Sequence, residues 1–448
     1  MTETIIRERI EAHRENIIEI GRTVWHRAEM GFKEFETAKL VARVFAECGL
    51  KQIQTGLAIT GIKGYLKEPV PGEPTVAIIG ELDALPMGQH PDANPETGAS
   101  HCCGHNSQIA GLLGAVYALT DQRIIEKLDG NVAFMAVPAE EFVDIEFKNN
   151  LIRDGIIEFG GGKCELIRIG AFDDISVALG HHTTPSSGYA IANGSTNGFV
   201  NKVVTFTGRA AHAADAPHRG EDALNAAMLA LHAVDVQRET LRDKDNVRIH
   251  SFLPRAGEAM NVVAEVTTIE SSVRAGNIPA VMNASAKYDR AMKAGAMALG
   301  CEVCIDTIPG YLPTIPVKDP GVLTRILEEH AADGRGMAYR NADFHENGST
   351  DFGDLSQILP VLQFRTGGYE GDLHNISMHV TDEDLAYVKT AEIFAQAAYR
   401  LLKDGAAETA RIVAENPPLL TKEAYIDYMR RTRRSEVFSG PRVPVLNT

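Results

Sequence analysis

Two segments of the sequence carry side chains that can bind a metal ion. In HCCGHN, Cys103 and His105 can offer a thiolate and an imidazole to one ion from a loop that precedes a helix. The N-terminus of that helix would help to hold Cys103 as a thiolate. In PAEE, Glu140 and Glu141 are adjacent carboxylates, so one can bind metal while its neighbour stays free as a base.

Three histidines extend this set of candidate ligands. His181 and His182 follow a short apolar run, and we expect at most one of them to bind metal because neighbours in a strand point to opposite faces. His374 lies in the segment GDLHN. All these residues follow strand-like runs, where open α/β sheets form their sites. Two metal ions beside a free carboxylate suit hydrolysis, because the ions polarise a carbonyl and acidify a water whose proton the carboxylate accepts.

Hydrophobic patterning predicts the elements that must position these residues. Ile5–Leu50 is expected to form two helices, broken near Gly31. Thr75–Gly80 and Asn131–Glu140 are predicted strands, the second ending at Pro138, and the apolar spacing between them is helical. Strand, helix and strand in this order predict a βαβ unit in a parallel or mixed sheet.

A second pattern begins near residue 193 and has the order β-α-β-β-α-β, which is that of a ferredoxin-like domain. Its predicted elements are Val203–Gly208, Glu221–Glu239, Asn246–Leu253, Glu265–Ala275, Pro279–Leu299 and Cys301–Ile308. We therefore predict an α/β fold in which a mixed-sheet domain, residues 1–192 and 310–448, is interrupted by an inserted domain, residues 193–309.

Composition excludes several partners. The 44 Lys and Arg residues are outnumbered by 60 Asp and Glu residues, and the formal charge of −16 argues against nucleic acid or an anionic membrane surface as the main partner. No uncharged apolar run is long enough to span a membrane, and the charged N-terminus lacks a signal-peptide core. Six cysteines in 448 residues are not a disulfide framework, so we expect a cytoplasmic protein.

Several motifs, taken in order, resemble the metal-dependent amidohydrolase branch of the peptidase M20 family, which includes aminoacylases, auxin-conjugate hydrolases and carboxypeptidases. They are WHRAEMGFKEFETA, GELDALP, HCCGHN, PAEE, GRAAHAADAP, GEAMNVV, VRA, GSTDFGDLS and GDLHN. The variants most resemble a subgroup that contains the aminobenzoyl-glutamate hydrolase B-subunit and β-alanyl dipeptidase-like proteins. The match extends to about Ala410.

The resemblance implies a di-metal centre in which Cys103 bridges the ions. His105 and His182 would complete one metal site, and Glu141 and His374 would complete the other. His182 is preferred over His181 because LGHH matches a family pattern with glycine two residues before the ligand. Glu140 would be the general base, and Asp83 would orient a ligating histidine. The ions would be Zn²⁺ or Mn²⁺, with Co²⁺ or Ni²⁺ as further candidates.

The inserted domain would contribute substrate contacts. The resemblance implies that His212 reaches the active site of a partner subunit and stabilises the developing oxyanion, which requires a homodimer formed through the inserted domains. Asn261 and Arg274 match positions that contact the substrate carbonyl or carboxylate, and Arg is suited to bidentate carboxylate binding.

Departures from the family pattern leave the substrate open. Asn106 replaces a usual Asp, Gln108 replaces a common His, and the glycine-rich stretch expected after PAEE is missing, since the chain reads FVDIEFKNN at 142–150. The first hypothesis is hydrolysis of the amide bond of an N-acyl or N-aroyl amino acid, as in aminobenzoyl-glutamate. The alternatives are a metallo-dipeptidase and an enzyme that deaminates an aryl amine by hydrolysis. A metal-free binding or regulatory subunit is the competing class.

Overall fold

The computed structural model describes residues 2–442, which divide into two compact units. Unit 1 contains residues 2–195, 314–344 and 350–422, and unit 2 contains residues 196–313, 345–349 and the described residues from 423 onward. Within residues 2–442, no helix combines the length and the hydropathy needed to cross a bilayer.

Fourteen α-helices are found among the described residues. They are α1 Thr2–Ala12, α2 Arg14–His26, α3 Phe35–Glu47, α4 His105–Leu119, α5 Gln122–Ile125, α6 Ile145–Arg153, α7 Gly162–Arg168, α8 Ala223–Val236, α9 Ile278–Leu299, α10 Gly321–Ala331, α11 Phe352–Ser356, α12 Lys389–Leu402, α13 Ala407–Glu415 and α14 Lys422–Thr432. A π-helical turn, Asp384–Val388, precedes α12.

The same residues form nineteen strands. They are β1 Lys51–Leu57, β2 Gly61–Tyr65, β3 Thr75–Glu81, β4 Leu85–Pro86, β5 Ala99–Ser100, β6 Asn131–Val137, β7 Val177–Thr183, β8 Tyr189–Ala192, β9 Ser195–Thr196, β10 Gly198–Thr207, β11 Arg248–Ala256, β12 Val266–Ala275, β13 Glu302–Pro309, β14 Met337–Arg340, β15 His345–Glu346, β16 Val361–Thr366, β17 Tyr369–Glu370, β18 His379–Val380 and β19 Arg434–Ser439.

Unit 1 is built on an eight-stranded mixed sheet in the order β1-β2-β6-β3-β7-β16-β8-β14. Strand β3 lies parallel to both β6 and β7, and every residue of β3 and β6 is buried. Continuous apolar runs are typical of parallel strands that are covered on both faces. Helix α4 is also buried on all sides, since Tyr117 is its only residue that is not fully buried. The predicted βαβ unit and mixed sheet are confirmed.

Unit 2 has the predicted ferredoxin-like order β10-α8-β11-β12-α9-β13, and its strands form a sheet in the order β11-β12-β10-β13-β19. The side chain of Asp222 caps α8 by accepting hydrogen bonds from two backbone amides of its first turn. Gly300 ends α9 in a left-handed conformation, with φ of 71°. The predicted fold class, a mixed-sheet domain with an inserted ferredoxin-like domain, is confirmed.

The C-terminal segment differs from the prediction that residues 310–448 belong to the mixed-sheet domain. Strand β19 pairs antiparallel with β13, so the described residues from 423 onward belong to unit 2. Charged contacts reinforce the pairing, because Arg434 donates to the carboxylate of Asp289 at 2.7 Å. The physical reason is that β13 would otherwise present an unpaired edge, which β19 covers. Residues 443–448 of the predicted tail lie outside the described residues.

Candidate functional site

The candidate metal ligands lie where the parallel strands of unit 1 end. Asp83 follows β3, Glu140 and Glu141 follow β6, and His182 is near the end of β7. Because β3, β6 and β7 run in the same direction, their carboxyl ends meet at one edge of the sheet, where open α/β sheets form their sites.

Four side chains converge on the thiol of Cys103. Its Sγ atom lies 3.3 Å from Nε2 of His182 and 3.2 Å from Nε2 of His374. His374 Nε2 also lies 3.3 Å from a carboxylate oxygen of Glu141. Two groups of donor atoms share Cys103: one is Cys103, His105 and His182, and the other is Cys103, Glu141 and His374. A third group, without Cys103, is Glu81, His105 and Glu140, and the atoms of each group lie within 4.8 Å of one another. The role of these residues as ligands stays a prediction.

The chemistry of these donors fits divalent metal ions. Nε2 of His105 and Oε1 of Glu141 are buried, and among residues 2–442 neither makes a hydrogen bond of acceptable geometry, although Glu81 and His374 lie 3.1 and 3.3 Å from them. An unpartnered buried polar atom is costly, and a bound cation would satisfy both. A thiolate, imidazoles and a carboxylate together suit zinc and neighbouring divalent ions.

That the helix N-terminus helps to hold Cys103 as a thiolate in the metal-bound protein stays a prediction. Burial, and then the charge of Glu141, raises the pKa of the Cys103 thiol well above its ordinary value. The partial charge at the start of α4 is too small to offset complete burial beside a carboxylate. Only a bound cation would supply enough positive charge to deprotonate this thiol.

The two adjacent histidines face opposite sides of β7. His181 is buried and hydrogen-bonds through Nε2 to Oγ1 of Thr366, at 2.8 Å. His182 donates from Nδ1 to the carbonyl of Thr183, at 2.8 Å, which leaves Nε2 directed at Cys103. Burial, and then the charge of Arg365, lowers the pKa of His182 to about 4. His182 is therefore neutral at pH 7, which is the form that binds metal.

Asp83 contacts both halves of the site. Nδ1 of His105 donates to the backbone carbonyl of Asp83 at 2.8 Å, and the Asp83 carboxylate lies 3.4 Å from the same nitrogen. The other carboxylate oxygen accepts from the backbone amide of Glu141 at 2.8 Å. These contacts fix the His105 tautomer and orient its Nε2 toward the donor group, as carboxylates do for metal-bound histidines.

The candidate base Glu140 lies beside these donors. One of its carboxylate oxygens is 3.9 Å from Nε2 of His105. Burial, and then the charges of Glu81 and Glu141, raises the pKa of Glu140 well above its ordinary value. A carboxylate with a raised pKa is suited both to accept a proton and to return it.

A run of three glycines at residues 160–162 contacts the PAEE segment in space. Residues 142–159, which include α6, form a loop that starts and ends beside the PAEE segment. After this loop, Gly162 donates from its backbone amide to the carbonyl of Ala139 at 3.1 Å. A Cβ atom on Gly162 would lie 1.6 Å from the carbonyl oxygen of Pro138, so only glycine fits there. Gly162 therefore lies against the Pro138–Ala139 backbone, although residues 142–159 separate them in the sequence.

Sequence reasoning missed a buried charge network beside the centre. Lys163, which is fully buried, contacts carboxylate oxygens of Glu81 at 2.6 Å and Asp351 at 2.5 Å. Gln108 donates to Glu81 at 2.6 Å, and Glu81 lies 3.1 Å from Nε2 of His105. Glu81 and Asp351 lie in the motifs GELDALP and GSTDFGDLS. A charged residue within an otherwise buried run was the sequence feature that could have identified them. Lys163 had no such signal.

The three predicted residues of the inserted domain are described within unit 2. His212 is exposed, and its Nδ1 accepts from the backbone amides of Ala214 and Asp215 at 3.2 and 3.0 Å, so its proton is on Nε2. Asn261 is exposed and accepts from the backbone amide of Ala213 at 3.0 Å, which brings it next to the His212 segment.

Arg274 is partly buried in unit 2 and lies on β12. It donates to Oγ of Ser349 at 3.0 Å, and its guanidinium lies 4.9 Å from the ring centroid of Phe199. Its role in substrate binding, like those of His212 and Asn261, stays a prediction.

Comparison with known proteins agrees with this picture. The model of the Peptidase family M20/M25/M40 matches residues 77–400. The mouse (Mus musculus) Xaa-Arg dipeptidase is 26% identical over 374 residues, covering 79% of this chain and 77% of the relative. The B-subunit of the p-aminobenzoyl-glutamate hydrolase of Escherichia coli (strain K12) is 28% identical over 323 residues, covering 69% of this chain and 61% of the relative.

Solved structures share the fold. A dinuclear metal-binding peptidase of the M20 family from Bacillus subtilis superimposes with a TM-score of 0.63 at 21% identity, covering 88% of this chain and 99% of that chain. At this identity the likeness concerns the fold.

Proposed function

Because this chain belongs to the Peptidase family M20/M25/M40 and is a metal-dependent hydrolase of amide or peptide bonds, we propose that it hydrolyses the amide bond of an N-acyl or N-aroyl amino acid. The observation that carries this proposal is the position of Glu140. Its carboxylate lies beside the two donor groups that share Cys103 and belongs to neither of them, although with Glu81 and His105 it forms a third group of possible ligands.

Two divalent ions, Zn²⁺ or Mn²⁺ and less favourably Co²⁺ or Ni²⁺, would be held by the two donor groups. Cys103 would belong to both groups, with His105 and His182 on one side and Glu141 and His374 on the other. When bound, the ions would polarise the scissile carbonyl and acidify a water molecule. Orienting His105 for this task would fall to Asp83, whose carbonyl accepts the Nδ1 proton.

The residues would then act in sequence. Glu140 accepts a proton from the attacking water and returns it to the leaving nitrogen, which its raised pKa favours. His212 donates from Nε2 to the developing oxyanion, and its exposure and tautomer support this role.

Substrate recognition would involve the inserted domain. Asn261 would donate to the substrate carbonyl, and Arg274 would pair with its carboxylate. We further propose that His212 serves the site of a second copy of the chain, so that the active form is a homodimer assembled through the inserted domains. A reducing compartment such as the cytoplasm would keep Cys103 able to bind metal.

The names of two relatives suggest which acyl group the substrate carries. The name of the E. coli relative favours an aroyl-glutamate, and the name of the mouse relative favours a dipeptide. Hydrolytic deamination of an aryl amine and a metal-free binding role are outcomes that the same experiment can distinguish.

The test combines a metal titration with a substrate panel. Metal-free protein would be titrated with Zn²⁺ or Mn²⁺ and assayed on p-aminobenzoyl-glutamate, N-acyl amino acids, dipeptides and aryl amines. We expect two ions per chain and metal-dependent release of an amino acid, with both reduced in Cys103→Ser but not in Cys304→Ser, a half-buried cysteine of unit 2. Folded protein that takes up no metal and cleaves no substrate would overturn the proposal.

A further inference from the structure

The turn that carries Glu140 and Glu141 has an unusual backbone. Ala139 has a φ of 50°, in the left-handed region that residues with a Cβ atom rarely adopt. Adjacent residues of an extended strand point to opposite faces, but here both carboxylates face the same centre. Glu140 lies 3.9 Å from Nε2 of His105, and Glu141 lies 3.3 Å from Nε2 of His374. The left-handed residue interrupts the extended backbone just before the pair, so the strand alternation does not hold for these two side chains.

Contacts from four other segments hold the turn. The amide and carbonyl of Ala139 bond to the carboxylate of Glu34 and to the amide of Gly162, at 2.8 and 3.1 Å. The amide and carbonyl of Glu141 bond to the carboxylate of Asp83 and to Nζ of Lys148, at 2.8 and 2.7 Å. Every one of these four backbone groups is therefore paired, and two of the partners, Glu34 and Lys148, are ionisable side chains that the mechanism does not use.

Glu34 lies at the start of α3 and is completely buried. One carboxylate oxygen accepts from the amide of Ala139, and the other is paired with Oγ1 of Thr60 at 2.6 Å. Placing an acidic side chain in the interior is expensive, and a helix start near the surface would satisfy it more easily. The hydrogen bond to Ala139 is a reason for Glu34 to be buried at this position.

Lys148 lies on α6, within the loop that follows the turn, and only 2% of its surface is exposed. Its ammonium group donates to the carbonyl of Glu141 and lies 4.8 Å from the ring centroid of Phe142 and 5.6 Å from that of Phe32. A buried lysine that points at a backbone carbonyl fixes that carbonyl with a charge-assisted hydrogen bond. The loop thus supplies a contact to the turn from which it departs.

We propose that Glu34 and Lys148 are positioning residues that hold the Ala139–Glu141 turn in its left-handed form, so that Glu140 and Glu141 face one centre. This inference rests on the proposed function, because it assigns a purpose to the orientation of those two carboxylates. It concerns the chain's own backbone, however, and so can be tested without turnover.

The first test compares two substitutions of Glu34. Glu34→Gln keeps both bonds, because the amide oxygen can accept from Ala139 and the amide nitrogen can donate to Thr60. Glu34→Met removes both at similar volume. We expect the amides of residues 139–141 to exchange with deuterium at least tenfold faster in Glu34→Met than in Glu34→Gln. Thr60→Val, which removes only the second bond, should exchange like the wild type.

The second test measures how the same substitutions affect metal binding and catalysis. Metal-free protein would be titrated with Co²⁺, whose bond to the Cys103 thiolate has a characteristic absorption. We expect Glu34→Met and Lys148→Met to weaken binding of one Co²⁺ equivalent at least tenfold and to lower kcat at least tenfold with KM within twofold. Lys148→Met replaces a buried ammonium group with an apolar side chain of similar length, so this variant remains informative if Glu34→Met folds poorly.

The third test uses the conformation of Ala139 directly. Glycine adopts a left-handed φ without strain, so Ala139→Gly should partly replace the missing bond. We expect Ala139→Gly to restore kcat and Co²⁺ affinity several-fold in the Glu34→Met background and to change the wild type less than twofold. A residue that merely stabilised the fold would show no such rescue, because its loss would be independent of residue 139.

The outcomes separate this inference from the proposed function. Glu34→Met with wild-type exchange, Co²⁺ affinity and kcat would overturn the positioning role, even if the wild type is an efficient hydrolase. A wild-type protein that binds no Co²⁺ and cleaves nothing would overturn the proposed function, and the exchange rates of residues 139–141 would still decide whether Glu34 holds the turn.

Discussion

Nζ of Lys163 lies 2.6 Å from a carboxylate oxygen of Glu81, and both side chains are excluded from water. Burial alone would lower the pKa of Lys163, but the carboxylates of Asp351 and Glu81 raise it above the ordinary lysine value. The ammonium therefore stays charged and offsets part of the negative charge of Glu81 and Asp351. This charge balance lets a cluster of carboxylates exist at the bottom of the site.

Removing that charge should strongly destabilise unit 1. Lys163→Met leaves Glu81 and Asp351 buried without a cation, and breaking such a pair typically costs about 3–5 kcal/mol. The free energy of unfolding from urea titration measures the loss. Lys39→Met is the matched control, because Lys39 is largely exposed and pairs with Glu36 only at the surface. Equal stability of the two variants would contradict the role assigned to Lys163.

Asn106 should not be replaceable by the aspartate that the wider family uses. Its amide nitrogen donates to the hydroxyl of Tyr387 at 2.9 Å, and its amide oxygen accepts from the hydroxyl of Tyr369 at 3.0 Å. Asn106→Asp loses the donor and buries a carboxylate, so we expect a loss of about 1–3 kcal/mol in unfolding free energy. In the Asn106→Asp background, Tyr387→Phe removes the hydroxyl that has lost its donor. This second substitution should therefore recover part of the lost unfolding free energy.

Glu34 should make the stability of the protein depend on pH in a defined direction. Burial, and then the charge of Asp83, raises the pKa of Glu34 from 4.5 to about 8. Between these values the folded state holds a proton that the unfolded state has released, so stability falls as pH rises. Glu34→Gln cannot lose this proton. The difference in unfolding free energy between Glu34→Gln and the wild type should therefore increase from pH 5 to pH 8, in favour of the variant, by roughly 3 kcal/mol at most. A constant difference would contradict the raised pKa.

The sequence predicted best those features that depend on local patterning. Strands β3 and β6 were recognisable because strands buried on both faces are continuously apolar. The alternation of side chains in a strand correctly indicated that His181 and His182 face opposite ways. The two strands flanking the site and its histidine geometry could therefore be anticipated.

Features that depend on distant pairings could not be predicted. Lys163 meets Asp351 across 188 positions of the chain, and nothing near either residue announces the pair. The contact of Gly162 with Pro138 and Ala139 could not be predicted because residues 142–159 separate them in the sequence. The position of β19 was missed because its partner strand lies more than a hundred residues earlier and its own pattern is largely polar.

The C-terminal strand should be needed for the stability of unit 2. A chain that ends at Lys422 lacks α14 and β19, exposes the edge of β13 and leaves the buried carboxylate of Asp289 with Lys202 alone instead of with Lys202 and Arg434. We expect its Tm to fall by at least about 5 °C, the shift that roughly 2 kcal/mol produces in a domain of this size. Calorimetry of the full-length and shortened proteins measures the change. Val437→Lys, at an exposed position of β19, should melt like the wild type, and an unchanged Tm after truncation would contradict the structural role of β19.

The role of Glu140 is the centre of the proposed mechanism, and one comparison tests it most directly. Metal content and hydrolysis of p-aminobenzoyl-glutamate and N-acyl amino acids would be measured for the wild type, Glu140→Gln and Glu146→Gln, an exposed residue of α6. We predict the same two ions per chain in all three, a kcat lowered at least about a hundredfold in Glu140→Gln, within the range expected for loss of a general base, and wild-type kcat in Glu146→Gln. Full activity in Glu140→Gln with both ions bound would contradict the account.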